Sequence, residues 1–314
     1  MVTFGWIAVA AVGFMVALSA SRRVANHASS LAQASRISPF VIGLVLLAVG
    51  TDVPEIANSI ITSAAGHGDL NVGDSVGSTL TQMTLVLGLL PFAAGVVEMN
   101  TRSVLAVGGL IAAMLLLGVV LTGDGDFSRI DGVVLVSSWI VTMYLAVRAR
   151  ALDADAPDGD PEPPDGKGRV RHAAAAFGYV LVVGAGAAAA VSAMIQIAER
   201  LNVPEYAVSF FGASIGTSLP ELIVAVIALR RGMAGLAIGD VLGSSLADAT
   251  LSIGIGPTLF PTAVDADLVV RGGLYTALAV ALTVMLLALL RRHDRRTGVV
   301  LIALYAMSYV VLLR

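Results

Sequence analysis

Long apolar runs recur from one end of the chain to the other, and they limit the fold more than any other feature. Ten of them fall near 3–21, 38–64, 69–96, 103–122, 129–148, 173–199, 205–229, 234–261, 270–290 and 298–313. About 20 apolar residues suffice to cross roughly 30 Å of hydrocarbon as a helix. No water satisfies backbone N–H and C=O groups there, so only helices or closed barrels can span. The runs are continuous rather than alternating, which selects helices. The expectation is an all-α membrane protein of ten transmembrane helices. Composition agrees: 57% hydrophobic and 13% charged residues, with a mean hydropathy of +0.89, exclude an ordinary soluble domain.

The most polar stretch, Asp153 to Arg171, is rich in Pro, Gly and Asp and cannot bury enough apolar surface to fold. It divides the chain into a first five-helix repeat (1–150), a polar linker (151–171) and a second five-helix repeat (172–314). The linker is too short for a regulatory domain. Met1 to Ala20 lacks a basic segment ahead of its apolar run, and Arg22 and Arg23 come after it, so it reads as an uncleaved first span with its N-terminus outside. On that orientation Arg22, Arg23, Arg36, Arg102, Arg148, Arg150, Lys167, Arg169, Arg171, Arg230, Arg231, Arg291, Arg292, Arg295 and Arg296 lie inside. Only Arg129, Arg200, Arg271 and Arg314 of the 19 basic residues stay outside, the bias that the positive-inside rule demands. The sequence therefore implies a multi-pass protein of the cell membrane with both termini extracellular and a cytoplasmic linker.

Before any chemistry, the chain shows self-similarity. Residues 50–91 align with 216–257 without a gap, at a constant offset of 166 residues. The matched pairs include Thr51/Thr217, Pro54/Pro220, Glu55/Glu221, Gly73/Gly239, Asp74/Asp240, Gly77/Gly243, Ser78/Ser244, Gly88/Gly254 and Pro91/Pro257. The short connection of the first copy, Ala65 to Asp69, has no basic residue, whereas its counterpart carries Arg230 and Arg231. The copies thus sit oppositely in the bilayer, as an odd number of spans per half requires. Inverted repeats with interrupted helices near the midplane are the architecture of many secondary transporters.

Each copy carries two expected interruptions, in helices 2 and 3 and in helices 7 and 8. The first is Gly-Thr-x-x-Pro-Glu, where Pro54 or Pro220 removes a backbone donor and should break the helix. Such a break would free carbonyls near Ala48 to Thr51 and Ser214 to Thr217, and start a half-helix bearing Glu55 or Glu221. The second is Gly-Ser-x-x-x-Gln/Asp, at Gly77, Ser78 and Gln82 and at Gly243, Ser244 and Asp248. Residues four apart share a helix face. Carboxylates, hydroxyls, amide oxygens and carbonyls form the ligand set of a hard cation such as Ca2+ or Na+. No His or Cys lies among them, which argues against Zn2+ or Cu+.

Plainer readings exist for each feature. Asp52-x-x-Glu55 and Ser218-x-x-Glu221 have capping-box spacing, although a cap needs no charge at bilayer depth. The Gly-Ser pairs suit close helix packing, and repetition with a polar residue four positions on tips them toward function. Asp74 and Asp240 read as structural caps or rim residues ahead of direct ligands to the ion. The run Arg291 to Arg296, with His293 and Asp294 inside it, reads as a loop anchored at lipid headgroups. His67 lies in a tight outside turn, and Asp124, Asp126, Asp265 and Asp267 read as solvated loop charges. The net charge of −3 says little about partners, and no basic cluster reads as a nucleic-acid footprint, so no nucleic-acid partner is expected. Absent Cys excludes disulfides and thiolate chemistry. No Ser/His pair or His/Asp cluster lies at membrane depth, so an enzyme is not expected, nor a resident cofactor or an obligate protein partner. A cation channel could use the same oxygens, but paired half-sites in an inverted repeat suit alternation better.

Gly-Thr-x-x-Pro-Glu with Gly-Ser-x-x-x-Gln/Asp after it, in duplicate, resembles the α-repeats of the cation/Ca2+ exchanger superfamily, and of prokaryotic Na+/Ca2+ exchangers in particular. The likeness covers the five-plus-five spans, the middle linker and the stretch from Asp126 to Leu135 that opens the fifth span. It implies a secondary antiporter exchanging three Na+ for one Ca2+ across the bilayer, with spans 1 and 6 sliding over a rigid core. It also implies that Glu55 and Glu221 coordinate Ca2+ and that Thr51, Thr217, Ala48 and Ser214 contribute carbonyls. Ser78, Ser218 and Ser244 would offer hydroxyls, with Gln82 and Asp248 in the middle. Two positions depart from the family pattern: Asp52 stands where Ser is usual, and Gln82 where Asn is usual. An extra carboxylate beside Glu55 favours a retained proton, which makes H+-coupled exchange of Ca2+ or another divalent cation the second reading.

Overall fold

A computed structural model of the chain describes residues 2–32, 39–98, 100–151 and 166–312. Most of the polar linker, together with Arg36 and Arg314, lies outside the described residues. The rest forms helical rods, labelled here α1 to α10. They are α1 (Val2–Ala32), α2 (Ile42–Thr51 and Val53–Ala64), α3 (Gly68–Ala94), α4 (Thr101–Thr122), α5 (Arg129–Arg148), α6 (Gly166–Leu201), α7 (Glu205–Arg230), α8 (Ala234–Leu259), α9 (Ala266–Leu290) and α10 (Arg295–Leu312). Seven of them are long and apolar enough to cross a membrane, and the bent pair of α2 makes an eighth. Large apolar side chains such as Leu105, Ile140, Leu278 and Leu289 point outward, whereas Glu55, Gln82, Glu221 and Asp248 are buried. That inversion is what hydrocarbon as solvent imposes.

Rods α3 and α8 form the centre, with 78% and 89% of their apolar stretches buried. Asn71, near the start of α3, donates to the Ile253 carbonyl near the end of α8 (3.0 Å), so the two rods run antiparallel. Rods α1 and α6 lie side by side. A Cβ on Gly13 would sit 2.6 Å from the Gly186 carbonyl, and one on Gly186 would sit 2.7 Å from the Gly13 carbonyl. Only hydrogen at both positions lets these backbones approach so closely.

The Pro-Glu motifs do interrupt their helices. The two arms of α2 meet at 45°. Asp52 (φ −76°, ψ 2°) and Ser218 (φ −82°, ψ 2°) hold the same non-helical conformation, and each leads into a half-helix with Pro in its first positions. Proline there forfeits an N–H that has no intrahelical partner anyway. The expected carbonyl release is corrected in part: the Ala48 carbonyl accepts from Asp52 N (2.9 Å) and the Ser214 carbonyl from Ser218 N (3.0 Å). The expected interruptions of helices 3 and 8 are also corrected, because α3 and α8 pass through the Gly-Ser pairs as continuous helix. A π-helical turn lies just beyond each pair, at Thr81–Val86 and at Asp248–Ser252. Such turns are rare and concentrate at functional sites. The glycines serve packing: a Cβ on Gly77 would meet the Phe210 carbonyl at 2.4 Å, and one on Gly243 the Leu44 carbonyl at 2.2 Å.

Beyond the all-helical expectation, two short antiparallel ladders lace the halves together. Val97–Glu98 pairs with Arg292–His293, and Asp126–Phe127 pairs with Thr262–Ala263. The repeat offset turns one ladder into the other at nearly the same register. His293 is the counterpart of Phe127, and both are fully buried. This corrects the headgroup-loop expectation for His293, whose Nε2 donates to the Leu87 carbonyl (2.6 Å) while Nδ1 lies 2.6 Å from the Thr297 hydroxyl.

Burial lowers the pKa of His293, which lies between α9 and α10, and its bond to the Leu87 carbonyl opposes that shift. A lowered histidine pKa means the fold favours the neutral ring. The stabilisation is complete above the unfolded value of about 6.5 and is lost as pH falls through it toward the folded value. The thermal midpoint is therefore expected to fall between about pH 7 and about pH 5, and His293→Phe to flatten that dependence. Parallel pH profiles for the two proteins in a detergent melt would remove His293 as the cause.

Candidate cation-binding site

The site is assembled by the helix interruptions. The interruptions at Asp52 and Ser218 start half-helices that carry Glu55 and Glu221 in their first turns, where the helix N-terminus favours negative charge. One oxygen each from Asp52, Glu55 and Glu221 lies within 4.8 Å of the others. Oxygens on opposite sides of a bound Ca2+ lie about 4.6–5.2 Å apart, twice the usual ligand distance. All three side chains are no more than 1% exposed, and none of their carboxylate oxygens makes a hydrogen bond. The Ser244 hydroxyl faces Asp52, and that of Thr51 faces Glu221, without closing a bond. The capping boxes do not form either, since neither Asp52 nor Ser218 makes a side-chain cap. Unpaired carboxylates buried in a membrane protein are costly unless a cation or a proton joins them.

The other expected residues surround this group. Gln82 donates to Asp248 Oδ2 (2.9 Å) and accepts from the Ser245 hydroxyl (2.8 Å). Gln82 and Asp248 are themselves repeat partners, as are Glu55 and Glu221, so both pairs meet across the pseudo-twofold relation between the halves. Thr51 lies 3.3 Å from Ser244, and its image Thr217 lies 3.1 Å from Ser78, oxygen to oxygen. Ser214 pairs with the Thr81 hydroxyl (3.3 Å). Ala48 and Ser218 are buried beside them. Every donor atom in this group is oxygen except the Gln82 amide nitrogen, which suits a hard cation and not a soft one.

Sequence reasoning missed Ser245 and Thr81, whose only signal is a hydroxyl beside a motif residue. It also misplaced Asp74 and Asp240, which are neither caps nor rim residues. Both are buried within helices. Asp74 accepts from Asn58 Nδ2 (2.5 Å) and from the Thr217 hydroxyl (3.2 Å). Farther out, His67 pairs with Glu205 (2.8 Å), joining the α2–α3 turn to the start of α7. Asp124 is exposed as expected of a solvated loop charge, whereas Asp126 is exposed on a ladder strand, Asp267 is exposed in the first turn of α9 and pairs with Arg271, and Asp265 caps α9.

A buried group of unpaired carboxylate oxygens, drawn from both repeats, defines a multi-pass membrane cation transporter. The chain belongs to the sodium/calcium exchanger protein family, whose pattern matches residues 5–148 and 172–314. It is thus a cation/Ca2+ exchanger family antiporter and not an enzyme. It is 28% identical over 303 residues to CaxA of Alkalimonas amylolytica, covering 93% of each chain. It is also 28% identical over 346 residues to the sodium/calcium exchanger MaX1 of Methanosarcina acetivorans, covering 96% of each. Among solved structures, the sodium-calcium exchanger NCX_Mj superposes with a TM-score of 0.68 at 23% identity, over 99% of both chains. The H+/Ca2+ exchanger CAX superposes with a TM-score of 0.77 at 18% identity, over 97% of this chain and 82% of that one. Such distant likenesses establish the fold and leave the coupling ion to the site itself.

Proposed function

We propose that the chain exchanges Ca2+ for Na+ by alternating access, with Glu55 and Glu221 as the principal Ca2+ ligands. The observation that carries this reading is the meeting of Asp52, Glu55 and Glu221 oxygens within 4.8 Å, buried and unpaired. Thr51 and Thr217 are assigned backbone carbonyls facing the ions, Ala48 and Ser214 only the second lone pair of carbonyls that already accept from Asp52 and Ser218 N–H, and Ser78, Ser218 and Ser244 hydroxyls at flanking positions. Gln82 and Asp248 close the middle. Repulsion among the carboxylates requires cations to be bound before the site changes sides. The close-packed pair α1 and α6 is the element assigned to move, over a core built on α3 and α8.

Ten crossings complete the reading, with α1 and α6 added to the apolar rods, and with the boundaries 1–150, 151–171 and 172–314. The bias of basic residues supports an orientation with both termini outside and the linker inside. Proteoliposomes with Na+, K+ and H+ gradients imposed separately test the coupling. Radiolabelled Ca2+ should accumulate against an outward Na+ gradient, and accumulation without any gradient dependence would sink antiport altogether.

Asp52 supports a second reading, H+-coupled exchange of Ca2+ or another divalent cation. It brings a third carboxylate within 4.8 Å of the two glutamates, where a proton shared among them would relieve repulsion. Asp52→Ser is expected to flatten the pH dependence of Ca2+ exchange while retaining transport. An identical pH profile in that variant would strip Asp52 of any proton role.

A further inference from the structure

Asp74 and Asp240 are equivalent by the repeat, yet their surroundings differ. Both oxygens of Asp74 are engaged, by Asn58 and by Thr217. Both oxygens of Asp240 are buried without a hydrogen bond, and the residue is 0% exposed. The sequence explains the difference. The counterpart of Asn58 is Val224, which has nothing to donate. The counterpart of Thr217 is Thr51, which contacts the Leu47 and Ala48 carbonyls and Ser244 just as Thr217 contacts their repeat images, but makes no bond to Asp240. A lone buried carboxylate of this kind is costly to keep unless a cation or a proton joins it.

Its placement fits such a visitor. Asp240, Ser244 and Asp248 succeed one another at four-residue steps on α8, so one stripe joins Asp240 to the centre of the site. Eight residues of helix separate Asp240 from Asp248, about 12 Å. Because α3 and α8 are antiparallel, Asp74 and Asp240 lie on opposite sides of the Gln82–Asp248 pair. Asp240 is therefore on the side where α8 begins, which is cytoplasmic on the orientation proposed above. Glu221 and Asp52 are the acidic groups within its electrostatic reach. The carbonyls of Phe40 and Leu44 abut Gly239 and Gly243, which flank it on α8.

We infer that Asp240 is an additional cation site, a waiting position for Ca2+ or Na+ between the central carboxylates and the cytoplasmic side, without an equivalent on the outer side because Asp74 is tied. The inference rests on the proposed transport function and gives it a sidedness. The test measures the half-saturating Ca2+ concentration separately on each face, in proteoliposomes of known orientation. Asp240→Asn removes the charge, while Val224→Asn keeps it and supplies the tether that Asp74 already has. Each is expected to raise the cytoplasmic-side constant about tenfold, the scale of one charge-assisted contact, and to leave the outer-side constant as it was. Equal shifts on both faces, or none on either, would overturn the assignment. If Asp240→Asn does not fold, the result with Val224→Asn decides alone. Absence of Ca2+ exchange by the unaltered protein would instead overturn the transport reading, and this site with it.

Discussion

Glu221→Gln and Glu55→Gln are each expected to reduce Na+-driven Ca2+ uptake by two to three orders of magnitude. Gln keeps the size and one oxygen of Glu but removes the charge. Taking one charge from a buried set that includes a bound divalent cation costs roughly 3–5 kcal/mol, and each ~1.4 kcal/mol is a factor of ten. The two losses should be similar, because the glutamates are repeat partners that face one another with Asp52 inside a 4.8 Å group. The protein itself should remain folded, since neither carboxylate makes a hydrogen bond that the substitution would break. Initial rates of radiolabelled Ca2+ uptake, normalised to folded protein in the liposomes, provide the measurement. Full activity in both variants would remove the glutamates from the ion's path.

Gly243→Ala should have the second-largest effect, on folding rather than on chemistry. A single methyl group there would lie 2.2 Å from the Leu44 carbonyl and 2.8 Å from the Ala48 Cβ. The first of these is backbone and cannot rotate away, so α8 and the first arm of α2 must separate. Overpacking of a closed core costs about 1–3 kcal/mol or more, and this contact sits where α2 delivers Thr51 and Asp52 to the site. The variant is expected to accumulate poorly and to melt earlier in detergent. Gly109→Ala, where nothing lies within 4 Å, should leave both properties unchanged. Equal yields and midpoints for the two variants would show that α2 and α8 are not held at this distance.

Much of the site is legible in the residues alone. The spacing of Pro54 and Glu55, repeated at Pro220 and Glu221, implies two interrupted helices with carboxylates at their new N-termini, and the interruptions occur there, with a 45° bend in α2. The second motif misleads in part. Gly77 and Gly243 suggest interrupted helices, but they lie in continuous helix and admit a neighbouring carbonyl. A glycine breaks a helix or fits close packing according to what lies opposite, and that partner is hundreds of atoms away along the chain. The π-helical turns at Thr81 and Asp248 leave no signature in residue type, since they depend on how the ladder of hydrogen bonds slips under tertiary load.

His293 shows the same limit from the opposite direction. Within a run of arginines it reads as part of a solvated loop, yet it fills the place that Phe127 fills in the other half. The repeat offset is present in the sequence, but only the pairing of Val97 with His293 makes that offset meaningful outside the two motifs. Asp240 is alike in this respect. Its type and position match those of Asp74, and only the three-dimensional neighbourhood distinguishes a tied carboxylate from a lone one.

By itself the sequence determined the solvent, the helical class, the duplication and the oxygen chemistry, because hydropathy, spacing and residue type are local properties that hydrocarbon and hard cations read directly. Tertiary structure decided which of the acidic residues share one small volume, which are satisfied by neighbours, and which glycines are contacts instead of breaks. Most of those outcomes depend on distances between residues more than a hundred positions apart, such as Glu55 and Glu221 or Gln82 and Asp248. Such distances exist only after the two halves have packed against each other.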